Sequence, residues 1–283
     1  MTLAENIPTV TLGRTGVEVT RLGLGGEGVL RTRNRTGEAT AVIHRALDLG
    51  ITYFESARAY AGSEGYLGVA LAGQRQQVFV TSKSVQRTKE GAQHDLETTL
   101  RNLRSDYLDL WQVHDVRDSE EWEQIISPGG AIEAFEAARG EGKVRFIGVT
   151  GHYDPYLLAR ALQEYPFDTV LMPVNVAEAN LPGFLDVTLR AAHASGAAAI
   201  GMKVLGAGIL TQAGLEASAL IRWALSLPVA VITVGCGSEE EVEANVRAAT
   251  AGPLSEEEAQ ELLQAVEPHA AQLAAYRGVL HAA

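Results

Sequence analysis

Short apolar runs alternate with longer amphipathic stretches along the chain, in eight cycles. The runs are Leu22–Gly26, Ile51–Glu55, Val78–Lys83, Leu108–His114, Phe146–Thr150, Val170–Asn175, Ala198–Lys203 and Ala230–Gly235. Each is rich in Val, Ile, Leu or aromatic residues and too short for a core helix, so each predicts a buried strand. Helical spacing fills the intervals. Ala92, Leu96, Leu100 and Leu103 recur every three to four residues and form one apolar stripe. Asp154-Pro155 reads as an N-cap followed by proline at the first helical position. Ser238 with Glu241 reads as a capping box opening the helix after the eighth strand.

Strand–helix alternation specifies a parallel sheet with its helices outside. Eight such units close into a (β/α)8 TIM barrel, with an open doubly wound sheet as the competing architecture. Thr9–Val19, turning at Gly13-Arg14-Thr15-Gly16, predicts an N-terminal β-hairpin, and the residues from Leu254 onward predict a C-terminal helical extension. No linker-like segment divides the chain, so residues 1–283 read as one barrel domain. That length suits a barrel, which commonly takes about 250 residues.

Composition narrows the function. Net charge is −12, which argues against nucleic acid or an anionic membrane surface as the main partner, since both are bound through Lys/Arg clusters. Cys236 is the only cysteine, so neither an intrachain disulfide nor a thiolate zinc site is expected. His152 has no second ligand at metal-binding spacing. The N-terminus lacks the basic and apolar regions of a signal peptide, and no apolar run is long enough to span a bilayer. The expectation is a cytoplasmic protein acting on a small molecule.

Strands buried on both faces should be almost wholly apolar. Several of these instead end in polar groups: Glu55, Lys83, His114, Thr150 with His152, Asn175 and Lys203. In a barrel such ends meet at the rim that carries active sites. Strands lie about 4.8 Å apart, which sets Lys83 between Glu55 and His114. Tyr60, in the loop after Glu55, can fold back over the group. Any one of these residues alone is equally well a strand meeting solvent; the complementary set points to a site. By contrast, Gly23-Leu24-Gly25-Gly26-Glu27-Gly28 satisfies G-x-G-x-x-G, but VLRTRNRTG after it does not start a helix, so the dinucleotide fingerprint is discounted. Trp111, Trp122 and Trp223 read as packing residues, with Trp122, in the stretch Val116–Ile126, the best placed of the three to meet a substrate.

At these residues the chain resembles the aldo-keto reductase superfamily. The resemblance runs through LGRTGVEVTRLGLGG (Leu12–Gly26), GITYFESARAYAGSEGYLGVAL (Gly50–Leu71), VFVTSK (Val78–Lys83), LRSDYLDLWQVHD (Leu103–Asp115), GKVRFIGVTGH (Gly142–His152) and MKVLGAGIL (Met202–Leu210), ending at Gly235–Asn245. It implies hydride transfer between NAD(P)H and a small carbonyl compound, with Tyr60, Lys83 and His114 at the family's catalytic positions and Glu55 where Asp is usual. Lys83 is then expected to lower the Tyr60 pKa from about 10.

On the cofactor side the resemblance points to Asn175 and Lys203, and to Leu205-Gly206-Ala207-Gly208 as a backbone cradle for the pyrophosphate. Leu171, Gly151 and Met202 stand where Gln, Asn and Tyr are common, so the carboxamide falls to backbone groups, Thr150 or His152. The adenosine end maps to Gly235, Ser238, Glu241 and Asn245. That segment reads GCGSEEEVEAN, with four glutamates and no cation before Arg247, which favours NAD(H) or dual use over NADPH alone. The rival readings are a catalytically impaired nicotinamide-binding barrel acting as a sensor or interaction protein, and a carboxylate-based hydrolase using Glu55 and Glu27.

Overall fold

In the computed structural model, which describes residues 6–277, the eight apolar runs are the strands of a closed barrel. A two-stranded hairpin, β1 (Thr9–Thr11) and β2 (Glu18–Thr20), precedes them. The barrel strands are β3 (Leu22–Gly28), β4 (Tyr53–Glu55), β5 (Phe79–Ser84), β6 (Leu108–Val113), β7 (Val144–Thr150), β8 (Thr169–Pro173), β9 (Ala198–Met202) and β10 (Val231–Cys236), hydrogen-bonded in that order and closing from β10 to β3. Where the sequence boundaries shift, they do so by one or two residues. His114, Asn175 and Lys203 lie just beyond their strands, in the connections that follow. Part of the expected C-terminal extension, residues 278–283, lies outside the described residues.

The chain separates into two compact units. The first holds Gly23–Thr150 and Gly235–Glu243. Its helices are α1 (Thr36–Asp48), α2 (Ser63–Ala70), α3 (Lys89–Leu103), α4 (Ser119–Ile126) and α5 (Ala131–Gly140). The α3 stripe buries Ala92, Leu96 and Leu103, with Leu100 half-buried at its edge. Gly68 lets α2 close on α3, because a Cβ there would meet the Asn102 carbonyl oxygen at 2.1 Å. Trp111 stacks on Phe135 with ring centres 3.6 Å apart. Trp122 is fully buried on the apolar face of α4, in the packing role expected of the tryptophans. An amphipathic helix turns its largest apolar residue to the core.

The second unit holds the residues up to Leu22, Gly151–Val234 and the residues from Ala244 on. In it the hairpin covers the start of β9, where a Cβ on Gly13 (φ 50°) would come within 3.0 Å of the Ala198 Cβ, and Arg14 donates to the Phe167 carbonyl. Helix α6 (Pro155–Glu164) starts as expected: Asp154 accepts from the Tyr156 and Leu157 amides at 2.8 and 3.1 Å. Beyond it come α7 (Leu189–Ser195), α8 (Ile209–Gln212), α9 (Ala217–Ser226), α10 (Glu239–Thr250, which begins in the first unit), α11 (Glu256–Val266) and α12 (Ala270–Leu273). The Ser255–Glu258 capping box of α11 was legible as S-x-x-E but is not among the expectations above.

A buried polar knot ties the C-terminal residues to this unit. Arg277 grips the fully buried Glu178 with two nitrogens and lies 4.7 Å over the Phe184 ring, while Tyr276 donates to Glu178 at 2.5 Å. Removing one partner of a buried pair leaves an uncompensated charge, at a cost of about 3–5 kcal/mol. Glu178→Ala is therefore expected to lower unfolding free energy by roughly that amount, read from urea titrations of the variant against wild type.

Candidate active site

The site is built outward from Lys83, whose side chain is 1% exposed. Its ammonium donates to one Glu55 oxygen and, at 2.8 Å, to the Ser56 carbonyl. The other Glu55 oxygen accepts the Gly26 amide at 3.3 Å, so the glutamate joins three adjacent strands. Past β4 the chain keeps pairing with β5 through Ser56 N–H to Thr81 O (2.9 Å) and Arg58 N–H to Lys83 O (3.0 Å). A turn closed by Tyr60 N–H to Ala57 O (2.9 Å) then directs Tyr60 back over the lysine. The Lys83 nitrogen lies 4.7 Å from the Tyr60 ring centre. His114 meets the same ring edge to face, centres 5.9 Å apart at 83°. Gly26 makes room, since a Cβ there would come within 2.8 Å of Tyr60 Cδ2. All four residues of the expected set thus sit together in the first unit.

Two supports were not anticipated. Glu64, 1% exposed, accepts from Ser82 and Thr99 hydroxyls at 2.7 Å, from the Asn102 amide at 2.9 Å, and from Arg58, which anchors the loop carrying Tyr60. Arg87 donates to the His114 and Asp115 carbonyls at 2.9 and 2.8 Å and to Glu121 at 2.8 Å, fixing the backbone under the histidine. The one signal for Glu64 was a carboxylate within an otherwise apolar helix stripe.

Burial pushes the Tyr60 phenol well above its ordinary 10.0; Glu27 adds to the push, Arg31 opposes it, and Asp115 raises it further. The expected lowering by Lys83 is thus not what the free protein shows. The ammonium is already engaged by Glu55 and Ser56, whereas desolvation acts on the phenol directly.

The residues assigned to the cofactor divide. The Thr150 hydroxyl accepts the Asp115 amide at 2.8 Å and steadies a left-handed residue (φ 58°). His152 is half-buried beside Tyr153. Asn175, 1% exposed, spends its whole amide inside the second unit. Its nitrogen donates to Lys203 O (2.9 Å) and Tyr276 OH (2.7 Å), and its oxygen accepts the amides of Ala177 and Glu178 (3.0 and 3.2 Å). In the free chain the side chain thus caps the turn after β8.

Lys203 (φ 57°) leads into a turn in which right-handed Leu205 is followed by left-handed Gly206, Ala207 and Gly208. Such a succession forms an anion-binding concavity of backbone amides. The Gly206 and Gly208 amides themselves bond within the turn, to Lys203 O (2.7 Å) and Leu205 O (2.9 Å). Ahead of α10, Ser238 accepts the Glu241 amide at 3.4 Å and Glu241 reaches the Gly237 amide at 2.7 Å, one residue earlier than a standard capping box. Gly235 lies close against Glu27, whose Cβ a side chain at that position would meet at 2.7 Å, and Asn245 is buried in the other unit. Among the described residues no cluster of three or more His, Cys, Asp or Glu could hold a metal ion, and no helix is long and apolar enough to cross a membrane.

Residues 21–220 match the sequence profile of the Aldo/keto reductase family. L-galactose dehydrogenase of Arabidopsis thaliana is 31% identical over 153 residues, 50% of this chain and 47% of that protein. Aldo-keto reductase YhdN of Bacillus subtilis is 31% identical over 187 residues, 59% of this chain and 54% of the relative. The chain spans about half the length of the curated relatives it matches. An aldo-keto reductase of Klebsiella pneumoniae, solved in complex with NADPH, shares the fold at TM-score 0.78 and 24% identity, covering 93% of this chain and 96% of that one.

The raised phenol pKa has a stability consequence with a definite sign. The fold favours neutral Tyr60, so this contribution is complete below the unfolded value of about 10 and is lost as pH climbs above it. Tyr53 and Tyr276 are pushed up by burial as well, so the informative quantity is a difference. Urea midpoints followed from about pH 9 to about pH 12 should fall less steeply for Tyr60→Phe than for wild type.

Proposed function

The chain belongs to the Aldo/keto reductase family, and from that premise we propose that it is an NAD(P)H-dependent oxidoreductase that reduces a small carbonyl compound with Tyr60 as the general acid. The observation that carries this reading is the placement of a protonated phenol edge-on to His114 and over an ammonium clamped by Glu55.

The nicotinamide, when bound, supplies the hydride to the carbonyl carbon. The chain supplies the proton and the geometry. A carbonyl oxygen held between the Tyr60 hydroxyl and the His114 ring accepts the phenolic proton as negative charge develops on it. Donation needs the neutral phenol, which burial secures. The tyrosinate left behind is then the species that Lys83 stabilises across the ring face. For a group of pKa about 10 working near neutral pH, that correction is about 4 kcal/mol. Glu55 holds the ammonium in place, and the methylene it adds over aspartate is taken up by its second tie, to Gly26.

The left-handed turn Leu205–Gly208 would take a pyrophosphate once its Gly206 and Gly208 amides exchange their bonds within the turn, and Asn175 acts on it indirectly by holding Lys203 O. At α10 the chain's own acids, Glu239, Glu240 and Glu241, fill the first turn. Arg247 lies eight residues further along α10, about 12 Å down its axis. This arrangement favours NAD(H) or dual use, because a 2′-phosphate would meet the carboxylates of the first turn, and Arg45, which reaches α10, is already paired with Glu243 at 2.8 Å.

Two measurements test the reading. Tyr60→Phe should keep less than about a tenth of wild-type turnover on the best carbonyl substrate while still binding dinucleotide. Tight dinucleotide binding by wild type with no turnover on any carbonyl would instead favour the sensor reading. Titrations with NADH and NADPH should give a preference for NADPH below about a hundredfold; a larger one would refute the NAD(H) assignment.

A further inference from the structure

Beyond β3 the chain does not open a helix at once. It makes one tight turn, Val29–Arg31, in which Val29 and Leu30 are buried and Arg31 is left at the surface. This connection is firmly seated. The Tyr66 hydroxyl donates to Thr32 O (3.0 Å) and accepts the Arg35 amide (3.1 Å), and Thr32 Oγ1 donates to Val29 O (2.6 Å). Gly62 packs so tightly beneath it that a Cβ would lie 2.2 Å from Thr32 O. The platform holds the Arg31 guanidinium 4.9 Å from the centre of the Tyr60 ring. The phenol thus has two cations against it: Lys83, buried, and Arg31, whose side chain is 48% exposed.

Arg31 is clipped to Glu27 at 2.9 Å, and Glu27 is itself 38% exposed. Exposed pairs of this kind hold weakly, so the guanidinium can exchange one carboxylate for another at little cost. Asp115 also faces Tyr60 but is held by Arg117 at 2.9 Å. Arg33 and Arg35 are exposed on the same connection, placing three of the chain's 23 Lys and Arg residues within five positions of a protein whose net charge is −12. A cationic rim beside the proton donor of an acidic protein will draw an anion toward the reacting end.

We propose that Arg31 is a specificity-determining residue that selects carbonyl substrates carrying a carboxylate a few carbons away, and that Glu27 holds the place of that carboxylate in the free protein. The inference rests on Tyr60 as the proton donor. The guanidinium fork meets a carboxylate through two parallel hydrogen bonds, which fixes the orientation of the carbonyl as well as its affinity.

The probes are succinic semialdehyde and butanal, which differ in the terminal carboxylate. Wild type should show the higher kcat/KM on succinic semialdehyde. Arg31→Ala should lower the ratio of the two kcat/KM values by about tenfold or more, Arg31→Lys should restore it only in part, and Glu27→Gln should raise it. An unchanged ratio in Arg31→Ala, or a wild-type preference for butanal, would overturn the proposal and leave Arg31 as a packing partner of the Tyr60 ring. Ligand-observed NMR with butanoate and butanol supplies a readout free of turnover. If no carbonyl is reduced but butanoate binds in an Arg31-dependent way, the reductase reading fails and the anion subsite stands. If butanoate binds equally to wild type and Arg31→Ala, the subsite fails whatever the kinetics show.

Discussion

A charged amine buried at the end of a barrel strand dictates the rest of the first unit. An unpaired ammonium there would be expelled or neutralised. Lys83 is tolerated because Glu55 and the Ser56 carbonyl take its protons, and both come from the neighbouring strand and its continuation. That requirement sets the course of residues 56–62, since the segment must stay paired with β5 long enough to present Ser56 O. Once it does, the turn at Ala57–Tyr60 leaves the phenol no other berth than the face of the lysine. Gly26 follows from the same demand, because both its amide and its missing Cβ are needed where Glu55 and Tyr60 converge. Ion pair, loop and glycine form one constraint rather than three features.

Polar residues at and just beyond the ends of buried strands also have a structural occupation, seen here at Thr150 and Asn175. Where a strand leaves its ladder, backbone amides and carbonyls lose their partners and must find others. Thr150 and Asn175 serve that need: one receives the Asp115 amide, the other two successive amides of the turn after β8. The sequence pattern of a polar residue ending an apolar run is identical for a ligand-binding group and for such a cap. Only the count of hydrogen bonds separates them, and for Asn175 that count is complete.

Legibility therefore varied with the kind of information. The strands were readable because burial on both faces forces continuous apolar runs, and the helices because their stripes and caps repeat at fixed spacing. Strand ends were less so, since β8 stops at Pro173, two residues before the polar group that marked it. The Glu55–Lys83–His114–Tyr60 set was readable because complementary charges fell on consecutive strands. Trp122 packs, as the tryptophans were expected to, because its helical face points inward. Glu64 and Arg87 escaped notice because each acts through partners distant in sequence: Glu64 gathers Ser82, Thr99 and Asn102, and Arg87 reaches His114, Asp115 and Glu121. The direction of the Tyr60 shift was missed for a related reason. Charge proximity is visible in a sequence motif, whereas desolvation depends on everything packed around the ring.

The two cations about Tyr60 divide the electrostatic work by their depth. Lys83 sits where water is excluded, with its charge met and its position fixed by Glu55. It acts when the proton has left and the ring carries charge. Arg31 lies at the surface, where solvent weakens its field on the ring but leaves it able to change partners. The resting phenol stays neutral because burial and the nearby carboxylates outweigh both. A buried charge can be strong only if it is committed, and an exposed one can be exchanged only because it is weak. One side chain cannot meet both demands, which gives a physical reason for the phenol to lie between an interior lysine and a surface arginine.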